Sequence, residues 1–148
     1  MRHILKALMI APALAVAAPG LAADGLTPSV TLFKNPQCGC CEQYAEYLQS
    51  NGYEVKVIPT HDLPLIKQRQ TIPSELQGCH TTLIGGYAVE GHVPVASMER
   101  LLTDRPDIHG IALPGMPAGS PGMGGAKTEA FTIYALTKKG RPSVSSVE

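Results

Sequence analysis

Three of the four cysteines in this chain fall within four positions, Cys38-Gly39-Cys40-Cys41. They follow a short apolar run, residues 30–33, that reads as a buried strand. They open a segment in which Cys41, Tyr44, Ala45 and Leu48 recur at helical spacing. The cysteines therefore belong to a strand-to-helix turn. At a helix N-terminus the unpaired amides and aligned peptide dipoles favour negative charge, so a thiol there ionises more easily than a free cysteine does. Thiolate is the form that attacks disulfides and binds soft metals. Cys38 and Cys41 form a C-x-x-C on one turn, the spacing of thiol-disulfide oxidoreductases. Cys40 and Cys41 are covalent neighbours, about 3.8 Å apart at Cα and too close for an unstrained bridge. One thiol is thus surplus to a redox pair, which points to a resolving partner or a metal. The plainer alternative is a set of static disulfides, such as Cys38 to Cys41 and Cys40 to Cys79. Crowding argues against it, because a staple stabilises most when it closes a long loop.

The elements that must position these thiols are legible on both sides of them. Asn51-Gly52 caps the first helix, residues 54–58 read as a second strand closed by Pro59, and residues 63–70 read as a second helix behind Asp62, with Pro64 in its first turn. Strand, cysteine turn, helix, strand, helix opens a thioredoxin-like α/β unit, and the crossover helix makes the first two strands parallel. In such folds a proline before the third strand is commonly cis and lies against the redox pair; Pro73 is the nearest match. Residues 79–84 read as a strand, Gly85-Gly86 as a hairpin turn and residues 87–90 as the return strand. Successive strand residues point to opposite faces, so Cys79 and His80 are not expected to grip one metal together. Cys79 is the one expected to face the Cys38 turn, the alternative being a small buried core residue. His92 stands where the hairpin ends, either near the site or against solvent-facing backbone, and the sequence leaves open which of His80 and His92 faces the site. His61 and His109 read as ordinary loop histidines. A third helix is expected from Ser97 to the stop at Pro106, with Met98 in its buried stripe.

Composition changes over residues 110–125, where glycine and proline dominate and Met116 and Met123 stand seven apart. A long loop of this kind inside a compact domain is usually either functional or disordered. Thioether sulfur is a soft ligand suited to Cu(I), and incidental packing is its alternative role. Residues 131–136 regain strand character, and residues 137–148 read as a polar tail. At the other end, residues 1–23 carry Arg2 and Lys6, an alanine-rich apolar run and then small residues, the pattern of a secretory signal peptide. The run is short and broken by Pro12 and Pro19, which argues against a membrane span. The remaining chain fits one domain, residues 30–136 with the loop extension included, in an oxidising compartment. Lysine plus arginine equal aspartate plus glutamate at 12 each, and aromatics are 5%. Neither nucleic acid nor an anionic membrane surface is indicated as a partner.

Cys38-Gly39-Cys40-Cys41 after Lys34-Asn35-Pro36, Cys79-His80-Thr81, the run from Gly86 through His92 to Pro94, and the segment from Pro114 through Met116 to Met123 occur in that order. Together they resemble the CopG-type periplasmic copper-resistance proteins, which are distinct from the ribbon-helix-helix repressors that share the name. The resemblance spans residues 30–136. It implies a thioredoxin-like domain whose Gly/Pro/Met-rich C-terminal extension completes a copper site, with Cys38, Cys40, Cys41, Cys79, His92, Met116 and Met123 as metal ligands. It also implies a role in copper redox handling, with Cys38 and Cys41 as the catalytic pair. Several thiolates with thioethers select Cu(I). Zinc competes as a Cys/His ion, but adjacent Cys40 and Cys41 would strain a closed tetrahedron. Three functions follow as alternatives: a copper-dependent thiol oxidoreductase interconverting Cu(I) and Cu(II), a copper buffer or chaperone without turnover, and a general thiol-disulfide oxidoreductase. A monomer in the periplasm is expected, with copper ions and copper-efflux or other copper-handling proteins as partners.

Overall fold

The structure, a computed structural model, describes residues 29–148. The expected signal peptide, residues 1–23, lies outside them. The elements in chain order are β1 (Ser29–Lys34), α1 (Gly39–Ser50), β2 (Glu54–Pro59), α2 (Leu63–Arg69), a short 3-10 turn (Ser74–Leu76), β3 (His80–Ile84), β4 (Tyr87–Gly91), α3 (Val95–Asp104), β5 (Ile108–Leu113), β6 (Thr132–Thr137) and β7 (Ser143–Val147). All seven strands join one sheet in the order β2-β1-β3-β4-β5-β6-β7. β1 runs parallel to β2, as a helical crossover between them requires, and antiparallel to β3. The β3–β4 hairpin turns at Gly85-Gly86, and α3 carries the chain across to β5, which lies parallel to β4.

The alternation of side chains along the strands splits the core into two layers. On one face Val30, Leu32, Val89, Ile111 and Ile133 pack under Tyr44 and Leu48 of α1 and Met98 and Leu101 of α3. On the other, Ala88, Ala112 and Leu136 pack under Ile72 and Leu76. The buried stripe of α1 is Cys41, Tyr44, Ala45 and Leu48, the four positions its period predicts. Met98 is fully buried in α3, which begins at Val95, two residues before the expected Ser97.

Four expectations give way. Residues 110–113, assigned to the loop extension, form most of β5, and residues 143–147 of the expected polar tail form β7. The described residues contain no cis peptide bond, so Pro73 is trans; it precedes the 3-10 turn, and Gly78-Cys79 fills the approach to β3. His109 is a strand residue of β5, not a loop residue.

Candidate metal centre

In the β1–β3 register Lys34 is opposite His80. The end of β1 and the start of β3 therefore meet at one edge of the fold, and the turn holding Cys38 lies beside Cys79. Two contacts fix that meeting. The Asn35 amide donates to Cys79 O at 3.1 Å, and the buried Lys34 ammonium bridges Pro36 O at 3.2 Å and Glu42 Oε1 at 2.9 Å, tying the motif loop to the first turn of α1. Cys38 is the N-cap of α1 without a side-chain cap bond, so the cysteine motif stands at the helix end whose first-turn amides lack intrahelical partners.

The four sulfurs converge. Cys79 Sγ lies 3.1 Å from Cys38 Sγ and 3.1 Å from Cys41 Sγ, and 3.8 Å from Cys40 Sγ, which is itself 3.3 Å from Cys38 Sγ. Cys38 and Cys41 are joined as a disulfide with Cα atoms 5.5 Å apart, while Cys40 and Cys79 are free thiols. Burial pushes the Cys79 thiol up to about 11, with the neighbouring Cys40 adding to the shift and Lys67 opposing it. In the metal-free protein Cys79 is therefore a thiol at neutral pH, and a bound cation is what would convert it to thiolate.

A second group of donors shares Cys79. One atom each from Cys79, His80 and His92 lie within 4.8 Å of one another. Both histidines are fully buried, with rings 4.9 Å apart at their centroids and the Tyr44 ring 4.8 Å from His80 and 5.3 Å from His92. His80 Nε2 donates to Gly91 O at 3.1 Å and His92 Nδ1 donates to Pro121 O at 2.7 Å. Those bonds fix the tautomers and leave His80 Nδ1 and His92 Nε2 as buried lone pairs without a partner. Burial also keeps both rings neutral. It lowers His80 to about 3, helped by His92 and Lys67, and lowers His92 as well.

His80 was not among the expected ligands, and its expected separation from Cys79 does not hold. β3 starts at His80, so Cys79 lies just before the regular strand and the rule of opposite faces does not bind the pair. Gly78, which precedes both, marks that break in the sequence. Met116 Sδ is 3.7 Å from Cys79 Sγ at the exposed rim of the cluster, with φ of 46°. Met123 lies further along the same loop, its amide bonded to Ser120 O at 2.8 Å; among the described residues Met116 is the methionine in hydrogen-bonding range of the thiols.

The loop carrying both methionines is seated on α1. Gly122 has φ of 76°, and a Cβ there would lie 2.6 Å from Tyr44 N. Only glycine permits both that backbone and that approach. Ser120 is buried, and Pro121 supplies the carbonyl that orients His92.

An α/β sheet protein with four clustered cysteine sulfurs and two adjacent vacant imidazole nitrogens has the donor set of the class of proteins that could hold a soft metal. Comparison with known proteins makes this specific. Residues 76–123 match a family described as "Protein of unknown function, DUF411". Two solved structures are similar at 37% identity: "Copper resistance protein copG- Form 2", with TM-score 0.76, over 82% of this chain and 98% of that one, and "Copper resistance protein copG- Form 1", with TM-score 0.75, over 81% and 96%. No curated protein matches. The chain belongs to the CopG family of copper resistance proteins. Among the described residues no helix is long and apolar enough to cross a membrane.

Proposed function

We propose that this chain is a periplasmic copper-binding oxidoreductase that interconverts Cu(I) and Cu(II) in copper resistance. The observation that carries the reading is the convergence of four cysteine sulfurs, with Cys79 at 3.1 Å from both members of the Cys38/Cys41 pair. Copper is the substrate. Thiolates and the Met116 thioether suit Cu(I), whereas imidazole nitrogens serve the divalent ion, and His80 Nδ1 and His92 Nε2 are buried lone pairs that a cation would satisfy. The electron count closes within the site. Two Cu(II) ions each take one electron while the Cys38 and Cys41 thiols form a disulfide and release two protons; the reverse step consumes the disulfide, two protons and two electrons from Cu(I). Cys40 and Cys79 stay as ligands throughout. His92, Met116 and Met123 complete the assigned set, and His80 joins it.

The order β2-β1-β3-β4, with α1 and α2 following the two parallel strands, supports a thioredoxin-like reading of residues 29–104. β5 to β7 and the methionine loop are then its extension. The N-terminal signal pattern supports periplasmic residence, and we assign a monomer that exchanges copper with efflux and other copper-handling proteins.

The test is metal analysis with copper-edge X-ray absorption on protein purified anaerobically. Sulfur-coordinated Cu(I) in the reduced protein, gaining nitrogen neighbours on oxidation, is expected; copper without sulfur neighbours, or no copper retained, overturns the reading. The Cys38–Cys41 disulfide favours a second reading, general thiol-disulfide exchange. It predicts metal-free reduction of a generic disulfide that Cys38→Ser abolishes. A plain buffer would instead keep one copper oxidation state through cycles of reductant and oxidant.

A further inference from the structure

Around the backbone of residues 78–81, which carries Cys79, lies a buried charge network that copper binding as described does not use. Lys67 of α2 is 3% exposed and Glu90 of β4 is 0% exposed, and they form an ion pair. The Lys67 ammonium also donates to His80 O at 3.2 Å and Thr81 Oγ1 at 3.0 Å, so its three protons are all taken. Glu90 accepts the Gly78 amide on Oε1 at 2.6 Å and the Thr81 hydroxyl on Oε2 at 2.7 Å. The amide of Gly78 and the carbonyl of His80, the residues on either side of Cys79, are thus held by one carboxylate and one ammonium, and the Asn35 amide holds the Cys79 carbonyl.

Two charges taken out of water in a small domain are a poor way to gain stability. Replacing such a pair with apolar side chains of similar volume is commonly neutral or stabilising, whereas removing one partner is costly. Thr81 and Glu90 are directly paired across the β3–β4 ladder, a position where two apolar side chains would pack equally well. What the charged pair provides, and an apolar pair would not, is four directional bonds aimed at the backbone on either side of Cys79 and at Thr81.

We infer that Lys67 and Glu90 are positioning residues for the Cys79 sulfur, fixing residues 78–80 so that this thiol closes the four-sulfur cluster and stands beside His80. The inference rests on the proposed function only in treating Cys79 as a copper ligand. Its test compares the native chain with Lys67→Met/Glu90→Leu and with Thr81→Val, which keeps both charges and removes the hydroxyl that links them. Three quantities are read: the melting midpoint, copper bound per chain under Cu(I), and the iodoacetamide reaction rate of Cys79 relative to Cys40. The rates are taken on metal-free, fully reduced protein and resolved by peptide mass spectrometry. The paired variant is expected to melt at or above the native midpoint, to lose at least half of its copper, and to raise the Cys79/Cys40 rate ratio at least fivefold. Thr81→Val is expected to raise that ratio two- to threefold. A general loosening would raise both rates together and leave the ratio unchanged. A folded paired variant with native copper and a ratio within twofold overturns the inference; if that variant does not fold, an unchanged ratio in Thr81→Val overturns it. Should the native chain bind no copper, the proposed function fails, while the alkylation ratio still decides this inference.

Discussion

Gly122→Ala is the perturbation whose cost the geometry sets most directly. Its new Cβ would lie 2.6 Å from Tyr44 N, 2.8 Å from Tyr44 Cα and 3.0 Å from Gln43 C, all backbone of α1. Ordinary carbon contact needs about 3.5 Å or more, so the loop must back away by roughly 1 Å. The left-handed backbone at φ of 76° adds about 1–2 kcal/mol for any L side chain. Backing away also stretches the 2.7 Å bond from His92 Nδ1 to Pro121 O, and a buried donor left unpaired costs about 1–3 kcal/mol. Together these come to about 2–5 kcal/mol, which in a domain of this size lowers the melting midpoint by about 10 °C or more. If the loop lifts off instead, the fall is smaller. Limited proteolysis then cuts within residues 114–125, and Met116 leaves Cys79. Gly124→Ala is the control, since a Cβ there meets nothing within 4 Å. Calorimetry and proteolysis on both variants read the result. A Gly122→Ala chain within 2 °C of native that resists cleavage like the control refutes the seating argument.

Cys40→Ser is expected to lower copper bound per chain while the Cys38–Cys41 disulfide still forms, read by metal analysis and thiol titration; unchanged copper stoichiometry counts against the surplus-thiol argument. His80→Leu keeps ring-sized bulk and removes one vacant nitrogen, so sulfur-bound Cu(I) should persist while copper-nitrogen neighbours fall in the oxidised protein's absorption spectrum; unchanged nitrogen coordination excludes His80. In the metal-free protein the depressed His80 imposes a pH dependence of definite sign. The unfolded chain takes up a proton near 6.5 and the folded chain only near 3, so stability is fully present above 6.5 and falls with pH down towards 3. The whole shift corresponds to several kcal/mol. Denaturant midpoints at pH 7, 5 and 4 should decline in that order, and the decline should shrink in His80→Leu.

The first half of the fold was legible because it buries one face at a time. The 3.6 period of Cys41, Tyr44, Ala45 and Leu48 is the buried stripe of α1, and the short runs at 30–33 and 54–58 became β1 and β2. β5 was obscured by its setting. Gly110 begins a glycine- and proline-rich stretch, yet it is needed because a Cβ there would overlap Ala88 O across the β4–β5 pair. β7 carries no burial signal; Val144 and Val147 are 57% and 62% exposed, and the strand is held by its ladder to β6 and by the bonds between Phe131 and Glu148. In the site, clustering made Cys38, Cys40 and Cys41 plain, and the oddity of a lone fourth cysteine singled out Cys79. His80 was hidden by a one-residue error in where β3 begins: with Cys79 outside the regular strand, the alternation of faces no longer separates it from His80. Lys67 and Glu90 left no trace in the sequence, because a pair 23 residues apart becomes a pair only through the tertiary fold.

Cys38 and Cys79 are 41 residues apart, and the register of β1 against β3 is what brings them together. A nascent or threaded chain therefore owns a thiol-rich tripwire at residues 38–41 but no completed pocket for an ion. The complete cage exists only in the folded chain, and whatever binds it there holds the sheet closed by an amount that grows with the logarithm of its affinity. Cargo and architecture then become one thermodynamic quantity: stripping the metal should loosen the very strand pairing that created its seat.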